Sequence, residues 1–236
     1  MLYREAEDRS RIYMLLSTFY LQRPNEEFIR RFRLLLRHPS SESTNIIRDA
    51  ISNDNEMIEG FKTFELFLNL IKDIPEAEVI DSLAVDWTRL FRGIKEGYGP
   101  PPPYESVWRG EGRIMGEWTQ KVLEMYRFAD IGMDIGDELP DYIGIELKFM
   151  ARLCYEESVM WRENNPSGAR RFLEMERDFL KGHIRAWVPA FISQAIEDTE
   201  TGFYKAALEL THAFLELDEW HIDSQLGARR EGIGNE

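Results

Sequence analysis

The chain has 236 residues, of which 43% are hydrophobic and 31% are charged, so it contains enough apolar sequence for a sizeable core. Lys and Arg number 29 against 43 Asp and Glu, which gives a formal net charge of −14. This charge disfavours nucleic acid, because phosphates are repelled unless a local basic patch offsets it. It favours cationic partners such as basic peptides, although an acidic balance is also common in soluble cytoplasmic proteins.

Cys154 is the only cysteine, so the chain cannot form an intramolecular disulfide or a cysteine-rich metal site. It lies among apolar residues of a predicted helix, which favours a buried structural thiol over a reactive one. The N-terminal sequence is charged and lacks an apolar signal core, and no apolar run is long enough to cross a bilayer. We therefore expect a cytoplasmic protein without stable membrane insertion.

The first 92 residues show helical periodicity, with apolar residues at spacings of three and four. A first helix is predicted from about residue 5 to 21, and Pro75 opens another that runs to about Phe91. Gly93 follows as a C-terminal stop. Three further helices are predicted through residues 28–36, 46–51 and 61–71, separated by breaks at 38–40 and 53–55.

Residues 97–108 contain four consecutive prolines, from Pro100 to Pro103. Such a run cannot form a helix or a central strand, so it predicts an extended, polyproline II-like segment. The segment is too aromatic for a simple flexible linker. We expect Tyr98, Tyr104 and Trp108 to pack it onto the helices.

A helix from about Ile114 to Phe128 precedes a connector at residues 131–137, whose two glycines make it the best hinge candidate in the chain. A long helix then runs to about Trp161, and residues 164–168 break the pattern. The remaining expectations are an interruption at Lys181–Gly182, a kink or boundary at Pro189, a final helix at about 201–221 and a disordered tail at 227–236.

The stretch from Glu138 to Met150 marks the start of the long helix. Pro140 suits its first turn, because the missing N–H would have no partner there. Glu138 and Asp141 place negative charge near the positive N-terminal end of the helix. Leu147 and Met150 lie on its apolar face.

No alternating strand pattern of useful length occurs, so the predicted fold class is all-α, a single compact bundle of roughly ten helices. A division into two subdomains stays open, with an N-terminal helical part (1–130), a hinge connector (131–137) and a C-terminal helical part (138–226). Exchange across that hinge would give a domain-swapped dimer in place of a monomer.

The common enzymatic motifs are missing: there is no G-x-S-x-G, no Walker loop and no H-E-x-x-H. None of these catalytic or nucleotide-binding mechanisms is therefore indicated, and we expect no cofactor and no metal. One alternative stays open, a metal-dependent all-α carboxylate protein or enzyme. It rests on Glu209 and His212, whose Glu-x-x-His spacing puts both side chains on one helix face.

Aromatic residues are concentrated between Trp87 and Trp108. Core packing explains most of them. The alternative is a groove for an apolar peptide, because aromatic side chains give a large contact area at little cost in entropy. An acidic rim around such a groove would attract basic residues beside the apolar part of the peptide.

Four segments resemble, in order, the signature segments of the TorD/DmsD-type (NarJ-related) chaperones for molybdenum oxidoreductases. They are DWTRLFRG (86–93), PPYESVW (102–108), ELPDYIGIELKFM (138–150) and FLKGHIRAWVPAF (179–191). Together they span most of the chain, and their agreement in order makes the resemblance specific.

The resemblance implies an all-helical, non-enzymatic cytoplasmic chaperone. Its partners would be the twin-arginine signal peptide and the apo catalytic subunit of a molybdopterin oxidoreductase, which it holds back from export until the cofactor is inserted. Two guanidinium groups beside an apolar segment suit carboxylates next to an aromatic groove, since carboxylates bind guanidinium in a bidentate fashion.

The peptide-binding residues that the resemblance implies fall into three groups. They are Glu138, Pro140, Asp141 and Tyr142; an apolar wall of Trp87, Leu90 and Phe91; and two further candidates, Tyr104 and Glu105. Tyr142 stands where many members have His. It keeps a ring and a hydrogen-bonding tip but gains no positive charge near neutral pH.

Overall fold

A computed structural model of the protein describes residues 2–30, 55–93, 97–111 and 113–232. The predicted helix through residues 46–51 and most of the one through 28–36 lie outside these residues. The α-helices are α1 (Leu2–Leu21), α2 (Asn55–Leu70), α3 (Glu76–Phe91), α4 (Glu117–Ala129), α5 (Ile143–Arg162), α6 (Pro166–Phe179), α7 (Arg185–Asp198) and α8 (Gly202–Gly232). Two π turns, Val107–Glu111 and Leu180–Ile184, complete the sequence of elements.

The described part of the chain contains no β-strand, only an isolated bridge between Tyr104 and Tyr142. The all-α prediction is therefore confirmed there. None of the described helices combines the length and the apolar character needed to span a membrane.

The chain divides into two compact units. The first unit comprises Met1–Ser17, Tyr104–Trp187 and Leu215–Glu236, and the second comprises Thr18–Pro103 and Val188–Phe214. The connector at 131–137 lies within the first unit, and its role as a hinge stays a prediction. Helix α8 continues to Gly232, through the first part of the expected tail, and residues 233–236 lie outside the described residues.

Aromatic side chains fill the core of the second unit around Phe203, which is fully buried. Its ring centroid lies 5.0–5.8 Å from those of Phe19, Phe28, Phe64, Phe67 and Tyr204. Most of these pairs meet edge to face, the arrangement that the charge distribution of aromatic rings favours. The stripes of Phe residues in the sequence therefore form core, as the helical periodicity indicates.

Asp86 fixes the loop before α8 in the second unit. The carboxylate is buried and accepts hydrogen bonds from the Thr201 hydroxyl (2.6 Å), the Thr201 N–H (2.9 Å), the Glu200 N–H (3.2 Å) and the Thr199 hydroxyl (3.0 Å). These four hydrogen bonds replace the contacts with water that the carboxylate loses when it is buried. Asp86 thus attaches α3 to the start of α8.

One buried cation connects four helices in the first unit. The Arg9 guanidinium on α1 contacts Asp218 on α8 (2.5 Å), Glu176 on α6 (2.5 Å) and Glu157 on α5 (2.9 Å). All three carboxylates are buried, and Asp218 also accepts from the Tyr13 hydroxyl at 2.7 Å. Removing one partner from such a buried group costs ~3–5 kcal/mol, so Arg9 anchors this unit.

Lys181 and Gly182 lie in the π turn Leu180–Ile184, which interrupts the regular α-helix between α6 and α7 as expected. Pro189 lies inside α7 and does not bound it, so the expected boundary is wrong and the kink stays a prediction. An interior proline costs ~3 kcal/mol, whereas burying each large apolar side chain gains roughly 1.5–3 kcal/mol. The buried side chains that outweigh the proline are Val188, Phe191, Ile192 and Ala195.

The stop after α3 is confirmed. Gly93 follows the helix with a φ of +55°, a region that residues with a side chain adopt at a cost. A Cβ at this position would also lie 2.7 Å from the Pro102 ring. A glycine is therefore required where the chain leaves α3 and approaches the proline segment.

The first testable prediction concerns Glu176. Burial raises the pKa of Glu176 to about 8, against the opposing effect of Arg9. A carboxyl with a raised pKa stabilises the fold fully below its unfolded pKa of ~4.3 and loses that contribution as the pH rises through its folded pKa. We expect Glu176→Gln to remove this dependence. The free energy of unfolding of the wild type should then fall relative to the variant between pH 5 and 8, by up to ~1.4 kcal/mol per pH unit.

Urea unfolding at several pH values measures this difference. Glu174→Gln is the matched control, because Glu174 lies on the same helix with an exposed side chain and leaves the Arg9 contacts intact. Parallel pH profiles for the wild type and Glu176→Gln would contradict the assignment of a proton to Glu176.

The second prediction concerns Asp86. In Asp86→Asn the side-chain amide nitrogen cannot accept a hydrogen bond, so part of the set of donors from Thr199, Glu200 and Thr201 loses its acceptor. We expect a loss of ~1–3 kcal/mol in the free energy of unfolding. Asp81→Asn, on the exposed face of the same helix, should change it by less than ~0.5 kcal/mol. Equal effects of the two substitutions would refute the structural role of Asp86.

Candidate functional site

Three of the four signature segments meet in the first unit, and two of them pair directly. The Glu105 N–H donates to the Asp141 carbonyl oxygen at 2.9 Å, and the Ser106 N–H donates to Asp141 Oδ2 at 3.0 Å. The neighbouring residues Tyr104 and Tyr142 form the isolated β-bridge, with ring centroids 5.2 Å apart. Asp141 therefore holds the end of the proline segment with both its backbone and its side chain.

This pairing explains why α5 starts later than the sequence suggests. The helix begins at Ile143, so Pro140 and Asp141 precede it, and the prediction of Pro140 in its first turn is wrong. Tyr142 occupies the N-cap position in an extended conformation (ψ 135°). Residues that pair with a neighbouring extended segment cannot also adopt helical dihedral angles. The carbonyl of Pro140 instead accepts a hydrogen bond from the Tyr126 hydroxyl at 2.8 Å.

Most of the predicted residues in this unit lie beneath the surface. Glu105, Pro140, Asp141 and Tyr142 are buried. Tyr104 and Glu138 are half-buried, and the Tyr104 hydroxyl donates to Glu138 Oε2 at 3.3 Å. Of the six, these two are the residues that reach solvent.

Glu105 pairs with two basic groups. Arg109 Nη1 lies 2.8 Å from Glu105 Oε1, and His183 Nδ1 lies 2.8 Å from Oε2. Arg109 also donates to the Gly182 carbonyl oxygen at 2.7 Å and stacks over the Trp118 ring at 3.4 Å. Glu105 and Arg109 thus attach the segment after the prolines to the π turn Leu180–Ile184.

Glu146 adds a third buried carboxyl to Glu105 and Asp141. Burial raises the pKa of Glu146 well above its usual value, and the charges of Glu105 and Asp141 raise it further. The Trp187 indole N–H donates to Glu146 Oε2 at 3.1 Å, which opposes this rise. Burial and the same three carboxyls also raise the pKa of Tyr126.

The predicted apolar wall lies in the second unit and forms part of its core. Trp87, Leu90 and Phe91 are buried. The Trp87 indole N–H donates to the Tyr20 carbonyl oxygen at 3.2 Å, and the Phe91 ring lies 5.1 Å from the Tyr20 ring. A peptide would contact these three side chains only after this core had rearranged, so their role in binding stays a prediction.

The alternative metal site at Glu209 and His212 gains no support. Glu209 accepts a hydrogen bond from the Thr63 hydroxyl at 3.1 Å. Within the described ranges, no three or more His, Cys, Asp or Glu side chains are placed to hold a metal ion. In the part of the chain that the structure describes, the Glu-x-x-His spacing therefore lacks the further ligands that a carboxylate-bridged centre requires.

Sequence reasoning missed Arg109, Glu146, His183 and Trp187. Two of them, His183 and Trp187, lie in the segment FLKGHIRAWVPAF, so the resemblance pointed to their neighbourhood. Glu146 lies in ELPDYIGIELKFM, but helical periodicity does not show that its carboxyl turns inward. No local pattern links His183 to Glu105, which is 78 residues earlier.

The third prediction separates the structural role of Asp141 from any role in binding. Asp141→Ala removes the acceptor of the Ser106 N–H, and a buried donor without a partner costs ~1–3 kcal/mol. We expect that loss in the free energy of unfolding, measured with urea and without any ligand. Asp137→Ala changes an exposed carboxylate nearby and should leave stability within ~0.5 kcal/mol. An Asp141→Ala protein as stable as the wild type would contradict the pairing.

The chain is similar to one protein family and to several proteins named as chaperones. Residues 52–193 match the family described as nitrate reductase delta subunit. The chain is 25% identical over 218 residues to the chaperone protein TorD of Vibrio cholerae serotype O1, covering 92% of this chain and 93% of that protein. It is 38% identical over 129 residues to the chlorate reductase assembly chaperone protein of Ideonella dechloratans, covering 54% of this chain and 60% of that protein.

A third relative is the selenate reductase assembly chaperone protein of Thauera selenatis, 34% identical over 116 residues, covering 49% of this chain and 56% of that protein. The resemblance to TorD-type chaperones is thereby confirmed. Since the family match covers more than half of its residues, the chain belongs to the nitrate reductase delta subunit family.

Proposed function

We propose that this protein is a cytoplasmic assembly chaperone for the catalytic subunit of a molybdopterin oxidoreductase. It binds the twin-arginine signal peptide of that subunit, the apo subunit itself, or both, and holds them until the cofactor is inserted. The observation that carries this proposal is the match to a TorD chaperone over 92% of the chain. The relatives named above are chaperones and not catalysts, which supports a non-enzymatic role.

The charge pattern supports a partner with guanidinium groups. Between Arg127 and Lys148 the chain contains six acidic residues and no basic one. Asp130, Asp134 and Asp137 are exposed, and carboxylates bind guanidinium in a bidentate fashion. This surface of the first unit therefore suits a pair of arginines.

The same segment offers apolar contacts. Phe128 is 63% exposed, and the half-buried residues Ile131, Met133 and Ile135 alternate with the acidic and glycine positions of the connector. An apolar stretch that follows an arginine pair can bury surface here at roughly 25 cal/mol per Å² before the costs of ordering. Charge and apolar area thus occur together, as a signal peptide requires.

The buried signature residues support this surface from below. Glu138 and Tyr104 reach solvent, so we assign direct peptide contact to these two. Asp141 and Glu105 position them through the pairing of residues 104–106 with 141–142, and Pro140 and Tyr142 complete the packing. Contact with Trp87, Leu90 and Phe91 is a separate proposal, because it requires the second unit to open.

The fourth prediction tests peptide binding by titration calorimetry. The probes are twin-arginine signal peptides of molybdopterin oxidoreductase subunits from the same genome, each with a version in which glutamine replaces both arginines. We expect the arginine form to bind and the glutamine form to bind at least tenfold more weakly. Glu138→Gln should weaken binding of the arginine form about two- to fivefold, as loss of an exposed ion pair of up to ~1 kcal/mol implies.

Combining Glu138→Gln with Asp130→Asn, Asp134→Asn and Asp137→Asn should produce a larger loss and reduce the dependence of binding on salt. Glu163→Gln, which changes an exposed carboxylate after the end of α5, is the net-charge control for Glu138→Gln, because each removes one negative charge. Equal binding of both peptide forms, or equal effects of Glu163→Gln and Glu138→Gln, would remove the site assignment. Failure of every signal peptide and of the co-expressed apo subunit to bind would refute the function itself.

A further inference from the structure

Three carboxyl groups share one buried region of the first unit. Glu105, Asp141 and Glu146 are each 0% exposed. The Glu105 oxygens each lie 2.8 Å from a basic group, whereas among the described residues Glu146 Oε2 accepts only from the Trp187 indole N–H, at 3.1 Å. A fully buried carboxyl beside two others and without a cation favours its protonated form, so we place a proton on Glu146.

The two basic groups in this region, Arg109 and His183, pair with Glu105 and not with Glu146. Arg109 and His183 both contact Glu105, the latter from the π turn Leu180–Ile184. The other groups that face the three carboxyls are the Tyr126 phenol on α4 and the Trp187 indole on α7. The described residues show no ion pair to Glu146.

Three polar atoms in this region lack hydrogen-bond partners among the described residues. They are Ser106 Oγ, Asp141 Oδ1 and Glu146 Oε1, all buried. A further negative charge would therefore meet two carboxyl neighbours and few donors. An unpaired charge that is buried raises the free energy of the folded state. Exposure of this carboxyl cluster to water lowers that free energy.

Loss of a proton from this cluster acts on a defined segment. Glu105 and Ser106 are attached to Asp141 by two hydrogen bonds, and Glu105 is the residue that Arg109 and His183 contact. Moving residues 104–111 away from residues 138–142 separates Glu105 from Asp141 and Glu146. That movement relieves the repulsion directly.

We propose that a proton on Glu146 acts as a latch, which holds residues 104–111 on residues 138–142 and releases them when it is lost. Because burial and the neighbouring carboxylates raise the pKa of Glu146, this proton stays bound above the pH at which an exposed Glu loses it, and it leaves as the pH rises further. The latch is closed at low pH and opens at high pH. Its stabilising effect is complete below the pKa of an exposed Glu, ~4.3, and is lost as the pH rises through the folded pKa.

The latch also holds Tyr104 and Glu138 together at the surface of the first unit. Tyr104 lies on the segment that it holds, and Tyr104 donates to Glu138. Insofar as these two residues contact a signal peptide, which rests on the proposed function, release of the segment will lower peptide affinity. The latch itself does not depend on that function.

Hydrogen exchange of the Glu105 and Ser106 amides is the fifth prediction and tests the latch directly. After correction for the intrinsic exchange rate, the opening constant of these amides should rise with pH above the pKa of an exposed Glu, ~4.3, by up to roughly tenfold per pH unit. Amides of residues 206–213 in the second unit should not follow this slope. Glu146→Gln keeps an acceptor for Trp187 and supplies a permanent donor to Glu105, so its opening constant should stay flat.

Glu124→Gln, an exposed change on α4, is the matched control and should keep the wild-type slope. A flat profile in the wild type, or the same slope in Glu146→Gln, would overturn the proposal. If Glu146→Gln does not fold, infrared difference spectroscopy of Glu176→Gln decides, because this variant removes the other buried carboxyl with a raised pKa. The band of a protonated carboxyl must persist above the pH at which exposed carboxyls lose their protons, and it must disappear as the pH rises further. Its absence there would also overturn the proposal.

Peptide titration over the same pH range separates the two proposals. Affinity that falls in parallel with opening supports both. Opening without any change in the affinity of a bound signal peptide would retain the latch and exclude its control of the peptide surface. Absence of peptide binding at every pH would remove the proposed function and leave the exchange result standing.

Discussion

The pairing of residues 104–106 with Asp141 and Tyr142 determines the structure of the candidate site. Two hydrogen bonds to one aspartate, through its carbonyl and its carboxylate, place the end of the proline segment against the residues that precede α5. That placement delays the start of the helix to Ile143 and buries Glu105 beside Glu146. The half-exposed pair Tyr104 and Glu138 lies at the edge of the same contact.

Aspartate suits this position because its short side chain places Oδ2 3.0 Å from the Ser106 N–H while its carbonyl accepts from the Glu105 N–H. A longer side chain would move the carboxylate away from the Ser106 N–H. A substitution at Asp141 that weakens partner binding does not by itself show a contact with the partner, because the substitution also loosens residues 104–106.

The sequence supported the fold better than the site. Helical periodicity and Gly93 as a stop agree with the structure, because each is a local property of the chain. The break expected at 164–168 falls at residues 163–165, and Pro166 already starts α6. Pro140 was assigned to the wrong place because Asp141 pairs with residues 35 and 36 positions earlier, a contact that no local pattern reveals. The same reason explains why Asp141 and Glu105 were expected at a surface and are buried. The resemblance located the right segments, whereas the orientation of each side chain came from tertiary contacts.

The first unit contains two buried carboxyl clusters, and the position of the cation distinguishes them. Arg9 touches Asp218, Glu157 and Glu176 directly, so a proton lost from Glu176 leaves an anion 2.5 Å from a guanidinium. In the other cluster the cation Arg109 contacts Glu105, and a proton lost from Glu146 leaves an anion without such a partner. Loss of a proton from the first cluster is therefore offset by a direct ion pair with Arg9. Loss of the Glu146 proton has no such offset, which is why the latch proposal links this second cluster to release of the segment that carries Tyr104.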